Sequence, residues 1–301
     1  MRRISPLLKL IGIALFIGII TRLDRGSITR YVLEGNVAML LIAQCALFGV
    51  LGIKSIRWHV LAAAAGARRP SSVSWCEFMI GVFLSTFTPA KLGDFGKVAY
   101  LKNDGVGAKT AALLVIIERL GDMIVLVPLA VIGAGVLAQS QGILIGTLGL
   151  LGVVALATLL ARYWKTFAVT LHYCLGHHAL ASVLLTTIGG WALHFLWAIV
   201  IARSLSITSP VPVLIAALTG ASFLNALPIA PSGLGTREAA LLTLLAPYAI
   251  EPERIVALSL LMFVQLLIAA IPGGYYWIRW KKGKIPQAQE RSAQNTGTLF
   301  S

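Results

Sequence analysis

Charged side chains are scarce in this sequence. Lys, Arg, Asp and Glu make up 12% of its 301 residues, which is about half the fraction typical of soluble domains. Hydrophobic residues account for 58%, and they form continuous apolar stretches near 10–20, 37–53, 111–117, 123–138, 143–161, 179–202, 210–230 and 255–278. Several of these approach the roughly 20 residues that cross a hydrocarbon layer about 30 Å thick. The sequence therefore predicts an all-α polytopic membrane protein and excludes a soluble globular one.

The sequence also lacks the features of most enzymes and nucleic-acid-binding proteins. Only three cysteines occur, Cys45, Cys76 and Cys174, without paired or metal-ligand spacing. There is no P-loop, nucleophile elbow or zinc-protease motif, so we expect no enzymatic activity, no cofactor and no metal site. The formal net charge is +14, but the basic residues flank apolar stretches and form no separate basic domain. We therefore expect no nucleic-acid partner.

The distribution of the basic residues predicts the topology, because Lys and Arg concentrate in short cytoplasmic loops. If segments 76–102 and 210–250 each dip into the membrane and return to the same face, 18 basic residues lie inside and five outside. The inside set includes Lys54 and Arg57 in a cytoplasmic loop and Lys97 at the cytoplasmic face of the first dip. If every apolar segment crosses instead, six of the 18 move outside. The dipping arrangement fits better, and it predicts six full transmembrane helices, two re-entrant helical hairpins and cytoplasmic termini.

The membrane domain is expected to fill nearly the whole chain. The apolar run that follows Arg2, Arg3 and Lys9 lacks a cleavage site, which predicts an uncleaved first helix. A single transmembrane domain is expected over 1–284, followed by a disordered cytoplasmic tail over 285–301. The expected location is a plasma membrane, the bacterial inner membrane.

A similar pattern in both halves of the chain predicts an internal repeat. A Pro-x-x-Leu-Gly element begins at Pro89 and again at Pro231, an offset of 142 residues, and the same offset maps stretch 37–56 onto 179–202. Each half would contain helix, helix, hairpin, helix, with the halves at about 1–140 and about 141–284. In the topology above, the two hairpins enter from opposite faces, which is an inverted-topology repeat. Coincidence is the alternative, because Phe, Leu, Gly and Pro abound in membrane proteins.

Helix-breaking residues mark the tips of both hairpins. They are Pro89 and Gly93 in the first, and Pro228, Pro231, Gly233 and Gly235 in the second. Non-helical chain at membrane depth must face protein or a polar cavity, because lipid cannot satisfy its backbone groups. Helices that restart near Asp94 and Thr236, as N-caps, would direct free N–H groups into such a cavity and attract anions.

Several charged residues are predicted to lie inside the membrane. Glu118, Arg119 and Asp122 form one polar stripe on an apolar helix. Each costs roughly 2.5–3.5 kcal/mol at a helix centre, so the stripe is either part of a polar site or a neutralised pair that locks helices together. Arg237 and Glu238 form a second candidate pair, in which Arg237 either clamps an anion or neutralises the stripe.

Three further polar residues lie near the hairpin tips. Lys91 and Asp94 follow the first break, and either contact a headgroup or extend to the interface. Asn225 precedes the second break, where a polar contact between helices is the alternative to lining a site.

Three segments resemble the signatures of the lysylphosphatidylglycerol synthase transmembrane family, also called flippase-like. They are FLSTFTPAKLGDFGKVAYLK, AALLVIIERLGDMIVL and NALPIAPSGLGTREAALLTLL. The matching positions are Pro89, Gly93, Glu118, Arg119, Asp122, Asn225, Pro228, Gly233, Gly235 and Glu238. In this family the membrane domain is implicated in moving lysyl-phosphatidylglycerol or other lipids between leaflets. The bifunctional members add a soluble aminoacyl-transferase domain, whereas 17 residues follow Lys284 here, so we expect no synthase activity.

The resemblance and the buried charges together predict lipid translocation. The expected partner is a membrane lipid with an anionic headgroup: a phospholipid, a glycolipid or a polyprenyl-phosphate-type lipid. Two alternatives stay open. One is a non-transporting partner of a glycosyltransferase or lipid-modifying enzyme, and the other is a membrane-embedded lipid-modifying enzyme.

Overall fold

Every regular element that the structure describes is helical. The structure is a computed structural model, and it describes residues 14–67, 69–88, 92–137, 142–143, 145–147, 149–154, 158, 162, 177–226 and 233–281. Nine α-helices have defined bounds in these ranges: α1 Arg25–Glu34, α2 Val37–Ala64, α3 Ser71–Phe87, α4 Gly96–Asn103, α5 Ala108–Val136, α6 His177–Ser204, α7 Val211–Ala226, α8 Thr236–Leu245 and α9 Pro252–Lys281. Two 3-10 turns, Leu92–Phe95 and Ala246–Tyr248, complete them. Residues 14–22 and the described residues from 142 to 162 are also helical.

The long helices have the length and composition of membrane spans. Val37–Ala64, Ala179–Ser204 and Pro252–Trp280 combine at least 18 residues with high mean hydropathy and few charges. Helix α5 has 29 residues, about 43 Å at 1.5 Å per residue, although it carries the predicted charged stripe. Large apolar side chains on the outer faces, among them Leu41, Ile132 and Ile271, are exposed as lipid-facing residues are. The prediction of a helical multi-pass membrane protein is confirmed.

Both segments predicted to dip are interrupted and do not form single long helices. In the first, α3 ends at Phe87 and α4 begins at Gly96 after the 3-10 turn. Gly93 is required in that turn, because a Cβ atom there would lie 2.2 Å from the backbone carbon of Leu84. In the second, α7 ends at Ala226 and α8 begins at Thr236 directly after a turn in which Gly233 and Gly235 have φ of +73° and +84°, a region that strongly favours glycine. The predicted breaking residues Pro89, Pro228 and Pro231 lie outside the described residues, as does Lys91.

The two halves interlock through their long helices and broken segments. Helix α2 packs along α6, α3 packs against α9, and α7 packs against α5. Glycines allow the close approaches. A Cβ atom at Gly273 of α9 would lie 2.0 Å from the carbonyl oxygen of Met79 in α3, and one at Gly133 of α5 would lie 3.0 Å from the Cβ atom of Ala216 in α7. Close backbone contact of this kind is how helices associate in lipid, where apolar burial gives no driving force.

A buried charged cavity between the halves

A cavity of about 170 Å³ lies where the two halves meet. Helices α2, α3, α5, α6, α7 and α9 form its walls, and the restarting segments at Asp94, Lys97 and Arg237 line it as well. Its charged lining consists of Lys54, Arg57, Asp94, Lys97, Glu118, Arg119, Asp122 and Arg237. Charged groups at such depth are costly unless they are paired or face water, so the partners of each one decide what the cavity can do.

Arg57 of α2 holds the carboxylates of α5 in place. Its guanidinium donates hydrogen bonds of 3.0 Å to Asp122 Oδ1 and 3.0 Å to Thr187 Oγ1, and it lies 3.6 Å from Glu118 Oε1. The indole of Trp191 in α6 donates a further bond of 3.1 Å to Asp122 Oδ1. Arg57 is 3% exposed. This network therefore fastens α2, α5 and α6 together and leaves Asp122 fully paired.

Lys97 of α4 is the second partner of Glu118. Its ammonium group lies 2.5 Å from Glu118 Oε2. The same group lies 4.4 Å from the ring centre of Trp58 and 5.3 Å from that of Phe78, so two aromatic faces share the positive charge. Lys97 is 1% exposed and is a buried structural cation.

Arg119 is partly exposed. Its side chain is 39% exposed, it pairs with Asp94, and it lies 3.9 Å from Asp122 Oδ2. Ser85 donates a 2.8 Å hydrogen bond to Asp94 Oδ1, which fixes the carboxylate from α3. The expected N-cap role of Asp94 is wrong: the residue lies within the 3-10 turn, α4 begins two residues later after Phe95, and the Asp94 carboxylate makes tertiary contacts instead.

Arg237 and Glu238 form a separate buried cluster in the second half. Arg237 donates to Ser259 Oγ at 2.6 Å and to the Ser259 carbonyl at 2.7 Å, and it lies 3.6 Å from Glu238 Oε1. Glu238 Oε2 accepts from the Gly235 backbone N–H at 2.5 Å and so caps α8. Gly235, not Thr236, is the N-cap. The carboxylates of Glu118 and Asp122 are neutralised by Arg57 and Lys97, so the alternative that assigned this task to Arg237 is wrong.

Two further polar side chains face the cavity. Asn225 of α7 has a buried Oδ1 atom without a hydrogen-bond donor among the described residues. Gly233 packs against it so closely that a Cβ atom there would lie 2.4 Å from Asn225 Oδ1. The ammonium group of Lys54 in α2 lies 5.0 Å from the ring centre of Trp191.

Three of the lining cations were misplaced by sequence reasoning. The charge distribution assigned Lys54 and Arg57 to a cytoplasmic loop and Lys97 to the cytoplasmic face. The structure places the first two inside α2 and buries Lys97 against Glu118. The signal available was the spacing of Lys54 and Arg57 at i,i+3, which puts both on one face of a helix that continues the apolar stretch 37–53.

Comparison with protein families gives a match that covers most of the chain. The family model described as the lysylphosphatidylglycerol synthase TM region matches residues 7–273. Comparison with curated proteins and with solved structures gives no match.

Proposed function

The chain belongs to the lysylphosphatidylglycerol synthase TM region family, and from this premise we propose that it moves an anionic lipid between the leaflets of its membrane. The headgroup would enter the charged cavity while the acyl or polyprenyl tails stay in the bilayer. The substrate would be a phospholipid, a glycolipid or a polyprenyl-phosphate-type lipid, and the location a bacterial inner membrane.

The charged cavity is the observation that carries this proposal. A cavity of about 170 Å³ is comparable with the roughly 150 Å³ that accepts a benzene-sized molecule, so it suits a headgroup and not a tail. A single neutralised pair would be enough to lock helices together. Eight charged side chains around one cavity exceed that need, because each of them carries an insertion cost.

The packing of α2 and α6 supports an inverted repeat. Asn36 contacts Ser204, Gly49 contacts Leu193, and Arg57 contacts Thr187. In these contacts the residue numbers increase along α2 while those of their partners decrease along α6, so the two helices run antiparallel. Leu193 corresponds to Leu51 at the offset of 142. The helices therefore cross near equivalent positions, as a twofold axis perpendicular to both requires. For two spanning helices, such an axis lies in the membrane plane.

Two other contacts between the halves form a matching pair, which is further support. At the repeat offset, α3 corresponds to α7 and α5 to α9. The packing of α3 against α9 is therefore the counterpart of α7 against α5. The two close-approach glycines, Gly133 and Gly273, also correspond at an offset of 140 residues. A pseudo-twofold relation accounts for both observations.

Within this proposal the cations hold the phosphate and the carboxylates balance the charge. Arg119, Arg237 and Lys91 would contact the lipid, and the Arg119 side chain is 39% exposed. Glu118, Asp122 and Glu238 would balance them or accept a cationic substituent. Arg57 and Lys97 pair with the carboxylates and hold them in position.

Leaflet-resolved lipid transport in proteoliposomes tests the function directly. Purified protein should move a fluorescent anionic phospholipid between leaflets without any partner, and protein-free vesicles are the control. If transport requires a co-reconstituted glycosyltransferase or lipid-modifying enzyme, or is absent, the scaffold role replaces the proposal.

Accessibility labelling tests the topology, in which both termini are cytoplasmic. Single cysteines in a cysteine-free variant should label from inside, outside, inside, outside and inside at Ser71, Gln139, His177, Glu253 and Gln287. Labelling of Gln139 from the cytoplasm contradicts the two-hairpin arrangement.

A further inference from the structure

Lys54 is a cation of the cavity that lacks a carboxylate partner. Its side chain leaves α2 and runs over Gly190 of α6, where a Cβ atom would lie 3.6 Å from the Lys54 Cγ atom. The ammonium group ends above the face of Trp191, 5.0 Å from the ring centre. Among the described residues, no carboxylate oxygen lies within 4.0 Å of it, whereas each of the other cavity cations has one within that distance.

Among the residues that the structure describes, the charge balance of the cavity leaves one positive charge. Lys54 and four other cations (Arg57, Lys97, Arg119 and Arg237) line the cavity with the carboxylates Asp94, Glu118 and Asp122, and Arg237 is paired with a fourth carboxylate, Glu238. Five positive groups against four negative ones leave a single surplus charge, and pairing assigns it to Lys54. An uncompensated charge is costly at this depth, and a ligand of charge −1 removes that cost.

The Asn225 amide supplies a second unused group in the same cavity. Its Oδ1 atom is buried and accepts no hydrogen bond from the described residues, although buried polar atoms nearly always find a partner. A ligand that carries a hydroxyl or other hydrogen-bond donor would satisfy it. Within the described part of the chain, the cavity thus offers one cation without a carboxylate partner and one acceptor without a donor.

We propose that Lys54 anchors the phosphate of the lipid and that the cavity takes a phosphodiester of net charge −1 with a hydrogen-bond donor on its substituent. This inference rests on the proposed function for the lipid as the source of the phosphodiester. A zwitterionic headgroup would leave the charge of Lys54 in place. A dianionic phosphomonoester would exchange a surplus positive charge for a surplus negative one. Both are therefore weaker ligands than the monoanion.

Binding to the detergent-solubilised protein tests the proposal. The probes are phosphatidylglycerol, which is a monoanionic phosphodiester with hydroxyl groups, phosphatidylethanolamine, which is zwitterionic, and phosphatidic acid, which is a phosphomonoester. Glycerophosphoglycerol supplies the same phosphodiester in soluble form. We expect phosphatidylglycerol to bind most tightly. Lys54→Gln should weaken its binding about 10- to 100-fold, the range of a hydrogen bond to a charged group, whereas Lys54→Arg should keep most of the affinity.

Lys102 provides the matched control, because it is an exposed lysine on α4. Lys102→Gln should leave binding unchanged. The unliganded Lys54→Gln protein should unfold at the parental temperature or above it, because the substitution breaks no ion pair. Unchanged phosphatidylglycerol binding in Lys54→Gln, tighter binding of phosphatidic acid than of phosphatidylglycerol, or a large loss of unliganded stability would each overturn the proposal.

Leaflet transport measured on the same variants separates this proposal from the proposed function. Lys54-dependent binding without any transport supports the anchoring site and refutes translocation. Transport whose lipid affinity does not depend on Lys54 refutes the anchoring site and leaves translocation standing. If glycerophosphoglycerol binds as tightly as the lipid, the phosphodiester site stands and the lipid is refuted as its source.

Discussion

Neutralising the ion pair between Arg57 and Asp122 measures how strongly the charged network stabilises the bundle. Removing one partner of a buried pair typically costs about 3–5 kcal/mol. In Arg57→Gln, Asp122 keeps the Trp191 N–H at 3.1 Å and Arg119 at 3.9 Å, and Glu118 keeps Lys97. We therefore expect the lower end of that range, about 3 kcal/mol of unfolding free energy.

The reverse substitution and the double variant complete a thermodynamic cycle. In Asp122→Asn, Arg57 keeps Thr187 at 3.0 Å and Glu118 at 3.6 Å, so the expected loss is about 2 kcal/mol, the size of one hydrogen bond to a charged group. The double variant lacks both charged groups, so it buries neither an unpaired guanidinium nor an unpaired carboxylate. It should lose about 3 kcal/mol instead of the additive 5, which is a coupling of about 2 kcal/mol, within the range found for contacting residues.

Unfolding in mixed detergent and dodecyl sulfate micelles, followed by tryptophan fluorescence, measures all four proteins. The exposed pair Arg30 and Glu34, 4.0 Å apart on α1, is the control cycle and should show no measurable coupling. Losses that simply add for Arg57 and Asp122 would refute the reasoning. Leaflet transport by the double variant then separates the two roles. If the double variant is stable and transports lipid at the parental rate, the pair has a structural role only. If it is stable but does not transport lipid, the pair lies in the lipid path.

Three other predictions follow from local geometry. Gly273→Ala should lower the free energy of unfolding by about 1–3 kcal/mol, because the added Cβ atom would lie 2.0 Å from the facing backbone. The control is Gly189→Ala, which has open space around it and should leave stability unchanged in the same thermal unfolding assay. Ser259→Ala should cost about 1–3 kcal/mol in unfolding measurements, because it leaves a buried guanidinium bond unmade. The hydrogen bond from Tyr31 lowers the pKa of Glu251. The stability that this hydrogen bond contributes is therefore fully present above the ordinary carboxyl pKa and is lost as pH falls through the lowered pKa of Glu251. Amide exchange in α1 should accelerate only in that acidic range.

The sequence alone predicted the features that depend on local composition. Helices α2, α6 and α9 were expected because their apolar stretches are long enough to span a membrane without help from the rest of the chain. The interruption of both broken segments followed from residues such as Gly93, whose requirement for a small side chain is local. The stripe formed by Glu118, Arg119 and Asp122 was expected from helical spacing.

The partners of the charges were not predictable, because spacing within one helix does not identify neighbours from other helices. Arg57 and Asp122 are 65 residues apart, and nothing in either segment specifies the other. The rule that places basic residues in the cytoplasm counts charges near span ends and does not distinguish an interfacial lysine from one buried against a carboxylate, which is how Lys97 was misplaced. Asp94 is a favourable N-cap residue by propensity, but its ion pair with Arg119 determined its position.

The two halves that the proposed repeat relates carry very different charges. At an offset of 140 residues, Lys97 corresponds to Arg237, but Glu118 and Asp122 correspond to the apolar residues Leu258 and Met262. Seven of the eight charged lining residues belong to the first half. Exchanging the conformations of two identical copies would give inward-open and outward-open states of equal energy. In the proposed translocation, with charge concentrated in one half, the two states would differ in energy when empty, and the anionic lipid would leave more readily from one of them.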